Sequence, residues 1–242
     1  MPTLSAWCGL PEPTIAGLLA AEAFDAVTLD MQHGAVDFRE AACAIPLVAA
    51  RGKPTLVRVP VGGYATAARL LDAGAAGIIA PMIGSVADAR AFVAQTKYPP
   101  SGARSWGPSA ALALTGLDTP TYFGEANAQT VALAMIETRA ALEAIDDILA
   151  VEGLDGIFIG PADLSVALSD GAGVTPASPA VDAALDHALA RTRAAGKHIG
   201  VYAHDASRAA VFRAKGFDLV AACSDTAFLA AGARALVAAL EA

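Results

Sequence analysis

Hydrophobic positions along this chain follow two alternating rhythms. Short β-branched or apolar runs at Leu4–Cys8, Ala26–Leu29, Thr55–Val59, Gly77–Ala80, Val131–Ile136, Gly156–Ile159, His198–Tyr202 and Leu219–Ala222 read as buried strands. Between them lie alanine- and leucine-rich segments of helical period: Thr14–Ala23, Phe38–Ala50, Tyr64–Asp72, Val86–Thr96, Arg139–Ala150, Pro179–Ala195, Ala206–Lys215 and Thr226–Leu240. Strict alternation of this kind predicts a parallel sheet. A count of eight strands favours a closed (β/α)8 TIM barrel over an open doubly wound sheet. Gly52, Gly74, Gly153, Gly196 and Gly216 fall where a helix should stop. One stretch, residues 97–127, breaks the rhythm with Tyr98-Pro99-Pro100, Gly102, Gly107-Pro108 and Gly124. It predicts a long loop or an interface element. The alternation then resumes in phase, so residues 1–242 are read as one barrel domain.

Composition narrows the function. Acidic residues outnumber basic ones by 24 to 16, a formal charge of −8, which would repel a polyanion and argues against nucleic-acid binding. Hydrophobic residues make up 55% of the 242 and charged residues 17%, enough for a large core and too apolar for disorder. No apolar run reaches the ~18 residues of a membrane span. No basic residue precedes an apolar stretch in Met1–Leu10, so a cytoplasmic protein is expected. Cys8, Cys43 and Cys223 are too scattered for a disulfide framework or a zinc cluster and read as buried reduced thiols.

A barrel predicts that its chemistry lies where the strands end. The polar residues at those positions are Asp30, Gln32 and His33 after the second strand, Arg58 on the third and Glu137 after the fifth. Gly160-Pro161-Ala162-Asp163 follows the sixth strand, His204 and Asp205 the seventh, and Ser224 and Asp225 the eighth. Glu137 and Asp163 end adjacent strands. Such carboxylates suit a hard divalent ion, an acid/base pair, or salt bridges to arginines such as Arg139. Amides at the start of the Pro161-Ala162-Asp163 segment are placed to hold a carboxylate. Asp30 lies three residues before His33, a spacing that permits a carboxylate-oriented general base or a loop histidine capping a helix. Arg58, inside an apolar strand, calls for a structural carboxylate or an anionic substrate. Lys53, Lys97, Lys197 and Lys215 all fall away from the strand ends, so none is placed to form a Schiff base, and carbanion chemistry would need a metal as electron sink. His187 and His198 read as structural or exposed, His204 lacks a clear partner, and Gly62-Gly63 is too weak for a phosphate loop. Trp7, Trp106 and Tyr202 are read as pocket walls or core filling, with Trp106 the strongest candidate for a wall.

Several of these residues sit in segments with a family resemblance. Phe24-Asp-Ala-Val-Thr-Leu-Asp-Met-Gln-His33, Leu56-Val-Arg58, Leu70-Leu-Asp72-Ala-Gly-Ala and Ala80-Pro-Met82 occur in order with Tyr98-Pro-Pro-Ser-Gly-Ala-Arg104, Met135-Ile-Glu137-Thr and Gly153-Leu-Asp-Gly-Ile-Phe-Ile-Gly-Pro-Ala-Asp163-Leu-Ser. Together they resemble the HpcH/HpaI family, the metal-dependent class II pyruvate aldolases, from about Trp7 to Phe228.

The resemblance implies roles. Glu137 and Asp163 would hold a divalent metal, Mg²⁺, Mn²⁺ or Co²⁺. The amides of Ala162 and Asp163 would hold the substrate carboxylate. Gln32, Trp7, Trp106 and Tyr202 are further candidate substrate contacts. Arg58 would stabilise an enolate oxygen, and His33 paired with Asp30 would be the base. Asp72 would support that base, often across a subunit boundary. The implied reaction is reversible aldol addition of a pyruvate or hydroxypyruvate enolate to an aldehyde. The implied assembly is a homohexamer, a trimer of dimers with exchanged C-terminal helices. The chain departs from some relatives in having Met135 where they have glutamine, and Met31-Gln32-His33 where they have Gly-Glu-His. Asp30-Met-Gln-His-Gly34 with Arg104-Ser-Trp-Gly-Pro108 resembles the subgroup that accepts hydroxypyruvate as well as pyruvate. Two other readings are a citrate-lyase-type enzyme acting on a CoA thioester, which would need a basic or nucleotide-sized entrance, and a non-catalytic binding paralogue.

Overall fold

The computed structural model describes residues 3–241. Its eight strands are all parallel and close in sequence order: β1 (Thr3–Cys8), β2 (Ala26–Asp30), β3 (Thr55–Arg58), β4 (Gly77–Ala80), β5 (Val131–Ile136), β6 (Gly156–Ile159), β7 (His198–Ala203) and β8 (Leu219–Ser224). β8 pairs back onto β1, which makes the expected TIM barrel. The outer layer comprises α1 (Pro13–Leu19), α2 (Phe38–Ala49), α3 (Tyr64–Asp72), α4 (Val86–Thr96), α5 (Ser109–Thr115), α6 (Thr119–Gln129), α7 (Arg139–Glu143), α8 (Ile145–Leu149), α9 (Pro161–Leu168), α10 (Pro179–Ala194), α11 (Ala206–Lys215) and α12 (Asp225–Glu241).

Alternation along the strands sorts the core into two compartments. Trp7, Ala26, Leu56, Ile79, Leu133, Met135, Phe158, Leu219 and Ala221 fill the barrel interior. Val27, Val57, Ile78, Ile136, Ile157, Val201 and Val220 face outward into the helix layer. The same period of two matters for the site. Continuing inward from Thr28, Leu56, Leu133 and Met135 brings Asp30, Arg58 and Glu137 to the mouth at the strands' C-terminal ends. Several helices begin on side-chain caps. Asp37 forms a reciprocal capping box with Glu40, while Ser85, Asp118, Ser178 and Asp205 each accept a first-turn amide.

Three sequence expectations change. Residues 97–127 hold α5 and most of α6, which pack Ala111, Tyr122 and Ala126 against Tyr98. The helix expected over Arg139–Ala150 is interrupted at Ala144 (φ −93°, ψ 11°), which divides α7 from α8 while Ala141, Ile145, Ile148 and Leu149 stay buried. Of the cysteines only Cys8 is buried; Cys43 is exposed and Cys223 half-buried, and all three are free. No helix among the described residues is long and apolar enough to cross a membrane. Beyond Phe228, which packs on Phe24, α12 leaves Leu229, Leu236, Val237 and Leu240 exposed.

Candidate active site

A cavity of about 400 Å³ opens at the C-terminal mouth of the barrel. Trp7, Asp30, His33, Arg58, Met135, Phe158, Ala162, Asp163, Tyr202 and Asp225 are among the residues that line it. Arg58 is its only lysine or arginine among the described residues.

The register of β2 and β3 sets Asp30 opposite Arg58. Arg58 donates from Nε to Asp30 Oδ1 (2.9 Å) and from Nη2 to Oδ2 (2.6 Å), a bidentate fork. Trp7 Nε1 donates to the same carboxylate at 3.2 Å, and the Arg58 guanidinium lies 4.9 Å from the Trp7 ring. The backbone N–H groups of Gln32 (3.0 Å) and His33 (3.3 Å) also donate to Asp30 Oδ1. Burial pushes the Asp30 carboxyl up, but the Arg58 hydrogen bonds and charge, with the Gln32 amide and Trp7 indole, outweigh it and hold the carboxyl below its usual range.

This arrangement corrects the expected Asp30–His33 pairing. Asp30 reaches the backbone of His33 and not its ring, because Arg58 takes up both carboxylate oxygens. The His33 ring is exposed at the cavity rim, and no described residue of the chain accepts a hydrogen bond from it. Of the two partners weighed for Arg58, the structure places a carboxylate beside it.

Glu137 is 2% exposed, just past the end of β5. The backbone N–H of Met82, a residue at positive φ (57°), donates to its Oε2 at 2.9 Å. Its Oε1 is buried with no partner. Burial pushes the carboxyl up, the Met82 amide opposes that, the nearby Asp163 charge adds to it, and the result is about 7. Gly160 is what lets Glu137 sit there: a Cβ at that position would lie 2.5 Å from Oε1. Pro161 opens α9 with its fixed φ, so Ala162 and Asp163 bring first-turn amides to the cavity. An orphaned buried carboxylate oxygen beside a second carboxylate fits a hard divalent cation. Among the described residues no group of three or more His, Cys, Asp or Glu is gathered for a metal, so such an ion would keep positions for water and substrate oxygens.

Three expected site residues lie elsewhere. Gln32 does not line the cavity and joins the site through its N–H, with its Oε1 buried and unpartnered. Asp72 ends α3, a helix that runs back down the barrel, so it sits at the opposite mouth. There it pairs with Arg104 at 2.6 Å. Trp106 belongs to that same end, within 5.4 Å of Tyr98 and 5.6 Å of Phe123. Within one chain neither residue reaches the cavity. Trp7, Tyr202, Ala162 and Asp163 line the cavity. Lys97, not placed to form a Schiff base, is buried under the barrel, with its Nζ 2.7 Å from Asp155 and 2.7 Å from the carbonyl of Asn127.

Comparison with known proteins decides the lineage. The family model described as HpcH/HpaI aldolase/citrate lyase matches residues 4–231. The chain belongs to this family. A hydroxypyruvate/pyruvate aldolase of Rhizorhabdus wittichii is 40% identical over 98% of this HpcH/HpaI chain and 93% of its own length. A 4-hydroxy-2-oxo-heptane-1,7-dioate aldolase of Salmonella arizonae is 36% identical over 98% and 89%. The crystal structure of an HpcH/HpaI aldolase from Desulfitobacterium hafniense superposes with a TM-score of 0.90 at 28% identity, over 99% of this chain and 93% of that one.

Sequence reasoning missed several contributors within this HpcH/HpaI site. The amide of Met82 is invisible to residue type, although a residue after Ala80-Pro81 at a strand end was a place to look. Gly160 shows no steric role in the sequence, where it is one residue of a motif. Asp225, at the end of the eighth strand, carries no sequence signal of a role, yet it is buried and lines the cavity.

Proposed function

We propose that this chain is a class II aldolase that forms the enolate of pyruvate or hydroxypyruvate and adds it reversibly to an aldehyde. In reverse it cleaves 4-hydroxy-2-oxo acids. The observation that carries the reading is the buried, unpartnered Oε1 of Glu137 beside Asp163, which lines one cavity with Arg58 and His33. Membership in the HpcH/HpaI family supports the same chemistry.

The residues divide the work. First-turn amides of Ala162 and Asp163 hold the keto-acid carboxylate. Glu137 and Asp163 would hold a divalent cation, Mg²⁺, Mn²⁺ or Co²⁺. Such an ion supplies Lewis-acid stabilisation of negative charge developing on the keto oxygen. Arg58, fixed by Asp30, adds a preorganised positive charge on the same side. His33 at the rim takes the C3 proton, and the electron pair left on C3 delocalises into the carbonyl. That carbon then attacks the aldehyde carbonyl, and the new alkoxide takes up a proton. In cleavage the alkoxide forms first and the C3–C4 bond breaks. Trp7, Phe158 and Met135 form an apolar floor that keeps water from the carbanion.

Asp72 supports His33 from a neighbouring copy in this reading, as the family resemblance implies. The assembly is a homohexamer, which also gives the exposed apolar side chains of α12 a surface to cover them. A CoA-thioester substrate is disfavoured because Arg58, already paired, is the cavity's only lysine or arginine among the described residues. The test is Mn²⁺-loaded enzyme with hydroxypyruvate or pyruvate and a short aldehyde. Formation of a 4-hydroxy-2-oxo acid that EDTA abolishes supports the reading, and turnover of a CoA thioester in place of the free keto acid overturns it.

A further inference from the structure

We propose that Asp225 is a positioning residue for His33, acting through the backbone of Gly9 and Leu10; this rests on the reading of His33 as the base. Asp225 is the first residue of α12 and is 1% exposed. Its Oδ2 accepts from Gly9 N–H (2.9 Å) and Leu10 N–H (2.8 Å), and its Oδ1 from Thr226 N–H (2.8 Å). No cation among the described residues pairs with it; backbone amides do that work. An ordinary helix cap needs no buried charge, as Ser85 and Ser178 show on α4 and α10. Here the carboxylate grips a loop 216 residues away in sequence.

The far side of that loop touches the base. Gly9 O accepts the N–H of Ala35 at 2.7 Å. Gly34 lies so close that a Cβ on it would be 2.7 Å from Gly9 Cα. His33 immediately precedes Gly34, and its own N–H is held by Asp30. The segment His33-Gly34-Ala35 is therefore held between Asp30 and Gly9, and Gly9 is held by Asp225. The exposed His33 ring makes no hydrogen bond to a described residue of its own chain, so what the chain itself contributes to the ring's aim comes through its backbone. A misplacement of about 1 Å in a reacting group costs on the order of 100-fold in rate.

A double-mutant cycle with His33→Ala tests this. The readout is C3 proton exchange of pyruvate in D₂O by Mn²⁺-loaded enzyme. Asp225→Ala is expected to slow exchange by roughly 10- to 100-fold, with KM for pyruvate changed by less than about 3-fold. In the His33→Ala background the same substitution should cost less than about 3-fold more. Asp225→Asn, whose amide oxygen still accepts from both N–H groups, should retain most of the rate. Amide hydrogen exchange of the ion-free protein should quicken at residues 9–10 and 33–35 and stay unchanged across the barrel strands. If Asp225→Ala does not fold, Asp225→Ser, whose shorter hydroxyl cannot bridge both N–H groups, replaces it in the cycle, and its loss should likewise vanish without His33. A loss that multiplies fully in the His33→Ala background, or one carried by KM, overturns the proposal, because Asp225 would then act on substrate. Wild-type exchange by Asp225→Ala overturns it too. Wild-type exchange by His33→Ala would instead remove the base reading itself.

Discussion

Asp30 and Arg58 form a two-point ion pair across adjacent strands, with Nε to Oδ1 at 2.9 Å and Nη2 to Oδ2 at 2.6 Å, both side chains almost wholly buried. This pair, rather than a carboxylate–imidazole dyad, is the fixed polar element of the barrel mouth. Removing one member of a buried pair strands the other, at about 3–5 kcal/mol. Asp30→Ala should therefore lower the urea unfolding free energy by about that much and abolish most catalysis. Its catalytic loss should be largely shared with Arg58→Ala, so the double variant is little worse than the worse single one. Full additivity of the two losses would mean that Asp30 acts elsewhere.

Glu137 makes the ion-free protein sensitive to pH. Burial first, and the Asp163 charge after it, raise its carboxyl from the usual 4.5 to about 7. The folded pKa lies above the unfolded one, so the stabilising contribution is full below pH 4.5 and is lost as pH rises through about 7. Its ceiling is on the order of 3 kcal/mol. Without metal, the wild type should lose stability relative to Glu137→Gln between pH 5 and pH 8, measured by urea midpoints. Mn²⁺ should reverse the trend at the upper end, since an ion competes with the proton for the carboxylate. A pH-independent difference between the two proteins would contradict the burial argument.

Gly160 tests the cradle around that carboxylate. An added Cβ would stand 2.5 Å from Glu137 Oε1, where side chain or backbone must shift. Gly160→Ala should weaken Mn²⁺ binding by at least about tenfold, a change of about 1.4 kcal/mol. Electron paramagnetic resonance titration measures it. Unchanged affinity would place the ion away from Glu137.

Asp72 offers a test across subunits. It lies at the mouth opposite its own chain's cavity, paired with Arg104. Asp72→Asn and His33→Ala should each be inactive or nearly so. Oligomers reassembled from a mixture of the two should regain part of the wild-type rate, because some interfaces then hold an intact His33 facing an intact Asp72. No recovery in verified mixed oligomers would confine Asp72 to a structural part.

The sequence made the barrel legible because its apolar runs alternate so regularly, and the observed strands differ from the expected ones by at most two residues at either end. It also put Asp30, Arg58, Glu137 and Asp163 at one mouth, since all four follow from strand-end position. What it hid depends on geometry finer than position. Asp30 sits three residues from His33, yet its carboxylate points across the sheet to Arg58, a choice made by register and not by spacing. Trp106 is loop-borne in sequence, but it follows α4, which returns the chain to the far end, where it packs on Tyr98 and Phe123. That pair of helices was hidden by Pro and Gly, although Asp118-Thr119-Pro120 is an N-cap followed by a helix-starting proline. The one-residue break at Ala144 leaves no trace in an alanine-rich pattern.

The most direct test of enolate chemistry at this site is proton NMR of pyruvate, and separately hydroxypyruvate, in D₂O with Mn²⁺- or Mg²⁺-loaded enzyme and no aldehyde. Metal-dependent enolate formation predicts loss of the C3 proton signal, abolished by EDTA and by His33→Ala. Retention of that signal for both acids, in folded and metal-loaded protein, would contradict it.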